Sequence, residues 1–97
     1  MLKKKYFKTK DECEVTFEFQ SQGTKVALVS ELNDWKPVDM KQRKKDKVFY
    51  TKLRMPNESS HQFRYLVDDL SWENDESADE YVRNEFGGDN GVVQTYR

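Results

Sequence analysis

Apolar and polar residues alternate through much of this chain with a period of two. Between residues 13 and 20 the apolar Cys13, Val15, Phe17 and Phe19 interleave with Glu14, Thr16, Glu18 and Gln20. Successive side chains of a strand point to opposite faces, so the pattern predicts a half-buried strand. Ser21-Gln22-Gly23 supplies the turn that ends it. Residues 24–30 predict a second, more fully apolar strand through Val26, Ala27, Leu28 and Val29, and Phe49, Thr51, Leu53 and Met55 mark one face of a third. Pro56-Asn57-Glu58-Ser59 then reverses the chain. Residues 61–68 put Phe63, Tyr65 and Val67 on one face and Gln62, Arg64 and Leu66 on the other. After an acidic, irregular stretch, Gly87-Gly88-Asp89-Asn90-Gly91 predicts a tight turn into a last strand over 92–96. No segment longer than two turns has a helical period, and there is no internal repeat or long linker. Short strands separated by turn signals predict an all-β chain folded as a sandwich.

Composition narrows this further. At 97 residues the chain has room for one domain and none for a catalytic barrel. Residues 1–11 read as a basic segment leading into the first strand, and residues 12–97 as the domain. Hydrophobic residues are 35% against 36% charged, so the core must be thin and built from large side chains, a need that the five tyrosines and six phenylalanines meet. The formal charge of -1 removes any whole-chain argument for nucleic acid. Cys13 is the only cysteine, so no disulfide can form within the chain, a reducing compartment is the simpler expectation, and its phase with Val15 and Phe17 makes it a core thiol. The Met1-Leu2-Lys3-Lys4-Lys5 start has the charge of a signal-peptide head but lacks the apolar run that should follow. Nothing approaches the roughly 20 apolar residues of a membrane span. A soluble, cytoplasmic protein is expected, with no membrane partner.

Two tryptophans carry the candidate chemistry. Trp35 closes Ser30-Glu31-Leu32-Asn33-Asp34-Trp35 and Trp72 closes Asp68-Asp69-Leu70-Ser71-Trp72, both in turn-rich surroundings. An indole beside a polar turn is poorly placed to serve only the core, yet it offers a flat apolar face and one N–H donor, which suits stacking on sugar rings. Alternation directs Arg64 away from the Phe63, Tyr65 and Val67 face, where its planar fork can donate to two hydroxyls at once.

The order of these pieces resembles a known family. A strand, an Asn-x-Trp turn, the strand His61-Gln62-Phe63-Arg64-Tyr65-Leu66-Val67-Asp68, a nearby Trp72, and then Phe86-Gly87-Gly88-Asp89-Asn90-Gly91-Val92-Val93 together resemble the glycogen-binding module of the AMP-activated protein kinase β subunit. The wider group is carbohydrate-binding module family 48, the early-set domain also found ahead of the barrel in branching enzymes and isoamylases. The resemblance spans roughly residues 12–95 and implies an immunoglobulin-like (early-set) β-sandwich, in agreement with the strand pattern. It further implies that Trp35 and Trp72 stack on glucose units, that Arg64 hydrogen-bonds the sugar, that Phe86 protrudes from the late loop, and that Asn90 bonds sugar hydroxyls. Gly88 stands where the family has a hydroxyl residue, so that contact is missing here. Glu31-Leu32 replaces the glycine and phenylalanine that the family favours near Asn33, and Asp69-Leu70-Ser71 is longer than the usual Asp-Gly turn.

Other signals carry less. Lys41, Arg43, Lys44, Lys45 and Lys47 read as a solvated hairpin loop, since no aromatic residues are interleaved with them. The seven acids Asp68, Asp69, Glu73, Asp75, Glu76, Asp79 and Glu80 lack the spacing of a calcium loop, so no metal or cofactor is expected. Nothing selects a catalytic carboxylate pair, and His61 has no nucleophile motif beside it. The expected function is therefore a stand-alone, non-catalytic module for glycogen or another α-1,4-linked glucan. The alternative is a protein-interaction or regulatory module attached to a glucan-metabolising enzyme, with a vestigial sugar face. A piece of a split glucanase has little support.

Overall fold

The computed structural model describes residues 1–85 and 87–96. Among the described residues ten strands follow one another: β1 (Leu2–Tyr6), β2 (Glu12–Phe19), β3 (Val26–Ser30), β4 (Val38–Asp39), β5 (Lys41–Gln42), β6 (Phe49–Pro56), β7 (Ser60–Val67), β8 (Ser71–Glu73), β9 (Glu80–Arg83) and β10 (Asp89–Gln94), with a 3₁₀ turn at Glu31–Asn33. They form two antiparallel sheets, one in the order β1-β2-β6-β5 and the other β4-β3-β7-β10-β9, with β8 added beside β7. This is the all-β, immunoglobulin-like sandwich that the alternation and the resemblance imply.

The alternation places the core between the sheets. Cys13, Val15, Phe17, Phe49 and Met55 face inward from one sheet, and Val26, Leu28, Phe63, Tyr65, Val67 and Val93 from the other. Aromatic rings bridge the layers: Phe17 meets Phe63 edge-on at 5.1 Å and Phe19 stacks on Tyr65 at 4.3 Å. Such pairs contribute about 0.5–1.5 kcal/mol each beyond their buried area, which compensates for the small number of apolar residues. Cys13 is buried in this core.

Four expectations about elements are revised. The basic N-terminal segment is itself a strand, with Lys3 opposite Thr16 and Lys5 opposite Glu14. Lys41 and Gln42 pair with Tyr50 and Phe49, and the loop beyond them is tied by Arg43, which donates to Glu18 at 2.7 Å and to Asp46 at 2.9 and 3.1 Å. The acidic stretch contains two strands, β8 and β9; both are exposed along their length, so pairing of their backbones with β7 and β10 holds them and not an apolar face. Finally, the last strand begins at Asp89, so Asn90 and Gly91 belong to it and not to a turn. Gly91 is there for close approach, since a Cβ on it would lie 3.3 Å from the Phe63 ring and from Ala78. Of the turn glycines, Gly87 alone has a left-handed backbone, with φ 86.

Asp68 locks the end of β7 to the start of β3. Its Oδ1 accepts the Lys25 N–H at 2.9 Å, the Thr24 hydroxyl at 3.0 Å and the Thr24 N–H at 2.9 Å. The Lys25 backbone donor first, and the Thr24 hydroxyl next, hold its pKa below the ordinary 3.8. These donors favour the charged form, so the stabilisation is complete above that ordinary value and is lost as pH falls through the lower folded value. Titration of the Asp68 carboxyl carbon by NMR should show a midpoint below 3.8; a midpoint at or above it would contradict the assignment of these donors.

Candidate functional site

The outward face of the larger sheet opens into a cleft of about 760 Å³ lined by Val29, Trp35, Gln62, Arg64, Trp72, Asn84, Glu85 and Asn90. That volume is within the range of ordinary ligand sites, roughly 300–1,000 Å³. Trp35, Arg64, Trp72 and Asn90, which the sequence singles out, thus come together although they derive from four separate segments. Gly88 adjoins them, because a Cβ on it would lie 3.8 Å from Arg64 Nη1 and 3.6 Å from Asn84 Nδ2. Phe86 lies outside the described residues. A second hollow, about 360 Å³ and lined in part by Met1, Glu18, Arg43 and Asp75, is bordered by charges that already pair with one another.

Each wall has a local cause. Trp35 follows the 3₁₀ turn, where Asp34 and Trp35 both take left-handed angles, φ 54 and 61, and the Trp35 N–H donates to the Ser30 carbonyl at 2.8 Å. For residues with a Cβ this conformation costs roughly 1–2 kcal/mol each, and it leaves the Trp35 side chain 43% exposed. The carboxylate of Glu31 accepts the Gln62 N–H at 2.5 Å and so fastens this turn to β7.

Trp72 owes its direction to an extra residue. Asp68 and Asp69 both have positive φ, and the Leu70 N–H donates to the Val67 carbonyl at 3.0 Å, closing a tight turn. Val67 nevertheless pairs with Ser71 and Leu66 with Trp72, so Leu70 is extruded as a bulge and is 85% exposed. The bulge absorbs the added length and keeps Trp72 on the face of Leu66 and Arg64. The indole is 49% exposed, and the Arg64 guanidinium carbon stands 5.7 Å from its ring centre, within cation–π range. Arg64 is half-buried, with no hydrogen-bond acceptor for its buried Nε among the described residues. An unmet buried donor costs about 1–3 kcal/mol.

The polar wall is continuous. Asn84 Nδ2 donates to Asn90 Oδ1 at 3.1 Å, and Asn90 Nδ2 donates to Gln62 Oε1 at 2.8 Å. Asn90 is only 8% exposed, so its amide is a bridge within the wall. Gln62, Asn84, Glu85 and Val29 were not singled out in the sequence. Gln62 shares the phase of Arg64 and was legible there; Asn84 and Glu85 sit in a stretch without periodicity and carried no signal.

Flat apolar plates with amides and a guanidinium at their margins suit a neutral polyhydroxylated ligand, whose rings have C–H faces and hydroxyl edges. Among the described residues, no group of three or more His, Cys, Asp or Glu is placed to hold a metal ion, and no helix is long and apolar enough to cross a membrane. Comparison with curated protein sequences gives no match. The model of the family described as the glycogen recognition site of AMP-activated protein kinase matches residues 13–96. With that match over nearly the whole chain, and a sandwich that carries its two exposed tryptophans in one cleft, the chain belongs to this glycogen-recognition family of carbohydrate-binding modules.

Proposed function

We propose that the chain is a non-catalytic module that binds glycogen or another α-1,4-linked glucan in this cleft, with sugar rings stacked on Trp35 and Trp72. The observation that carries the reading is the convergence of both exposed indoles with Arg64 and an amide wall. Arg64 donates to sugar hydroxyls, Asn90 belongs to the polar wall and Gly88 borders it, while a sugar contact by Phe86 rests on the family resemblance alone. Glu85 contributes the one carboxylate among the described lining residues, whereas glycoside hydrolysis ordinarily needs two across the bond. A shallow site of this kind should bind with a Kd of about 10 μM to 1 mM.

Titration with maltoheptaose, followed by tryptophan fluorescence and amide shifts with cellohexaose as the control, tests the reading. Saturable shifts at Trp35, Arg64 and Trp72 with maltoheptaose alone support it; silence up to several millimolar removes it.

Gly88 gives a gain-of-function test. Its backbone is outside the left-handed region, and the nearest atoms to an added Cβ are 3.6 Å away or more, so a side chain fits. Gly88→Ser should place a hydroxyl beside Arg64 and tighten maltoheptaose binding roughly three- to tenfold, the value of one hydrogen bond. Unchanged binding would place Gly88 outside the sugar's reach, and weaker binding would show that the added side chain obstructs the sugar and makes no hydrogen bond to it.

A second reading is an interaction module for a glucan-metabolising enzyme. It draws on the outer face of the smaller sheet, where pairing brings the exposed Lys3, Lys5, Lys52 and Arg54 together around Thr16 and Glu14. Co-purification with one such enzyme, without retention on glycogen, would favour it.

A further inference from the structure

The amide wall has a direction, and the backbone N–H of Gly88 helps to set it. The N–H of Gly88 donates to Asn84 Oδ1 at 3.1 Å. A backbone N–H cannot accept, so the oxygen of Asn84 is held on that side and its Nδ2 is turned toward Asn90. Asn90 must then offer Oδ1 to Asn84 and Nδ2 to Gln62, and Gln62 must offer Oε1 to Asn90. The two ends of an amide have nearly the same shape, so any one of the three alone would be free to turn over. Joined to Gly88 they are not, and the end left over is the Nε2 of Gln62. That group has no hydrogen-bond partner among the described residues. Gln62 is half-buried, lines the cleft and lies on the same strand face as Arg64.

We propose that Gln62 is a glucan-contacting residue whose amide presents only donors to the cleft, and that Asn84 and Asn90 are positioning residues that hold it in that sense. The proposal rests on the cleft being the glucan site. Asn90, with both ends of its amide engaged inside the wall, acts through Gln62. Arg64, also donor-only, extends the same surface, so this side of the cleft selects ligand oxygens that accept.

The test is an NMR titration of the ¹⁵N-labelled full chain with maltoheptaose, run for the parent, Gln62→Met, Asn84→Asp and Trp35→Ala. In the parent the Gln62 side-chain NH₂ signals should move and saturate together with those of the tryptophans. Gln62→Met keeps the length and loses the donors; it should weaken binding roughly five- to tenfold with the backbone spectrum retained. Asn84→Asp offers acceptors on both sides, so Asn90 turns its Nδ2 toward position 84 and its Oδ1 toward Gln62. The Gln62 NH₂ then swings onto Asn90 and should stop responding to sugar, a reversal that a merely structural role would not produce. The proposal is overturned, and the glucan reading kept, if Trp35→Ala loses binding while Gln62→Met binds like the parent and the parent's Gln62 amide does not move. If the parent shows no saturable shift, the glucan reading fails and takes the proposal with it.

Discussion

Trp35→Ala and Trp72→Ala should each reduce maltoheptaose affinity roughly thirtyfold, about 2 kcal/mol, the scale of a central aromatic contact. The folded chain should tolerate both changes. The indoles are 43% and 49% exposed, and neither belongs to the cluster of buried side chains that joins the sheets. Loss of a partly exposed ring should lower Tm by no more than about 5 °C. The two substitutions should not be equivalent in detail. Trp72 shares its ring with the Arg64 guanidinium at 5.7 Å, so Trp72→Ala also releases that cation, whereas Trp35→Ala leaves Arg64 in place. A Trp72→Ala, Arg64→Ala double variant should therefore lose less than the sum of its single losses if Arg64 and Trp72 meet the ligand as one unit. Isothermal titration with maltoheptaose, beside thermal unfolding of the same samples, checks all three. Affinity within threefold of the parent for both single variants would remove the stacking role.

The largest loss of stability away from the hydrophobic core should follow from Asp75→Ala. Asp75 is 2% exposed, and its carboxylate accepts the Tyr65 hydroxyl at 2.8 Å, the Ser77 N–H at 2.8 Å and the Met1 α-ammonium at 2.5 Å. Its backbone carbonyl also accepts the Tyr81 hydroxyl. Burial first, and the charge of Asp75 next, push the Tyr65 phenol far above its ordinary range, so it remains a donor at any physiological pH. Removing the carboxylate strands a buried phenol and a backbone N–H, at a cost of about 3 kcal/mol, or roughly 15 °C in Tm for a domain this size. Tyr65→Phe is the milder companion: it deletes donor and hydroxyl together and leaves Asp75 its other partners, for about 1 kcal/mol. Calorimetric unfolding distinguishes the two, and an Asp75→Ala loss under 1 kcal/mol would show that solvent reaches this site.

The seven acids of residues 68–80 illustrate how far the sequence could be read. Their spacing argued against a calcium loop, but composition alone had no means of separating Asp75, buried against Tyr65, from Glu76, which is exposed one residue later. The distinction depends on a tyrosine from β7 arriving there. Residues 80–83 were similarly opaque. Glu80-Tyr81-Val82-Arg83 is exposed throughout, so no apolar alternation marks it, and it is a strand because Asp89–Gln94 offers it a backbone to pair with. Trp72 was ambiguous for another reason. Five positions separate it from Val67, and in a regular two-residue hairpin that count would have shifted its facing. The bulge at Leu70 restores it, and a bulge is set by the turn geometry of Asp68 and Asp69 and not by the hydrophobic pattern.

Alternation by itself determined which side chains of 13–20, 49–55 and 61–68 fill the sandwich, and it determined that Arg64 and Gln62 face away from Phe63 and Tyr65. A period of two is a local property of extended backbone, so it needs no knowledge of neighbours. Only the tertiary structure decided that the Trp35 turn, the bulged Trp72 hairpin and the loop holding Asn84 and Gly88 open onto the same cleft. Those contacts depend on the lateral order β3-β7-β10-β9, with β8 alongside β7. Strand order is fixed by which backbones pair across long separations, and the facing of individual side chains carries no record of it.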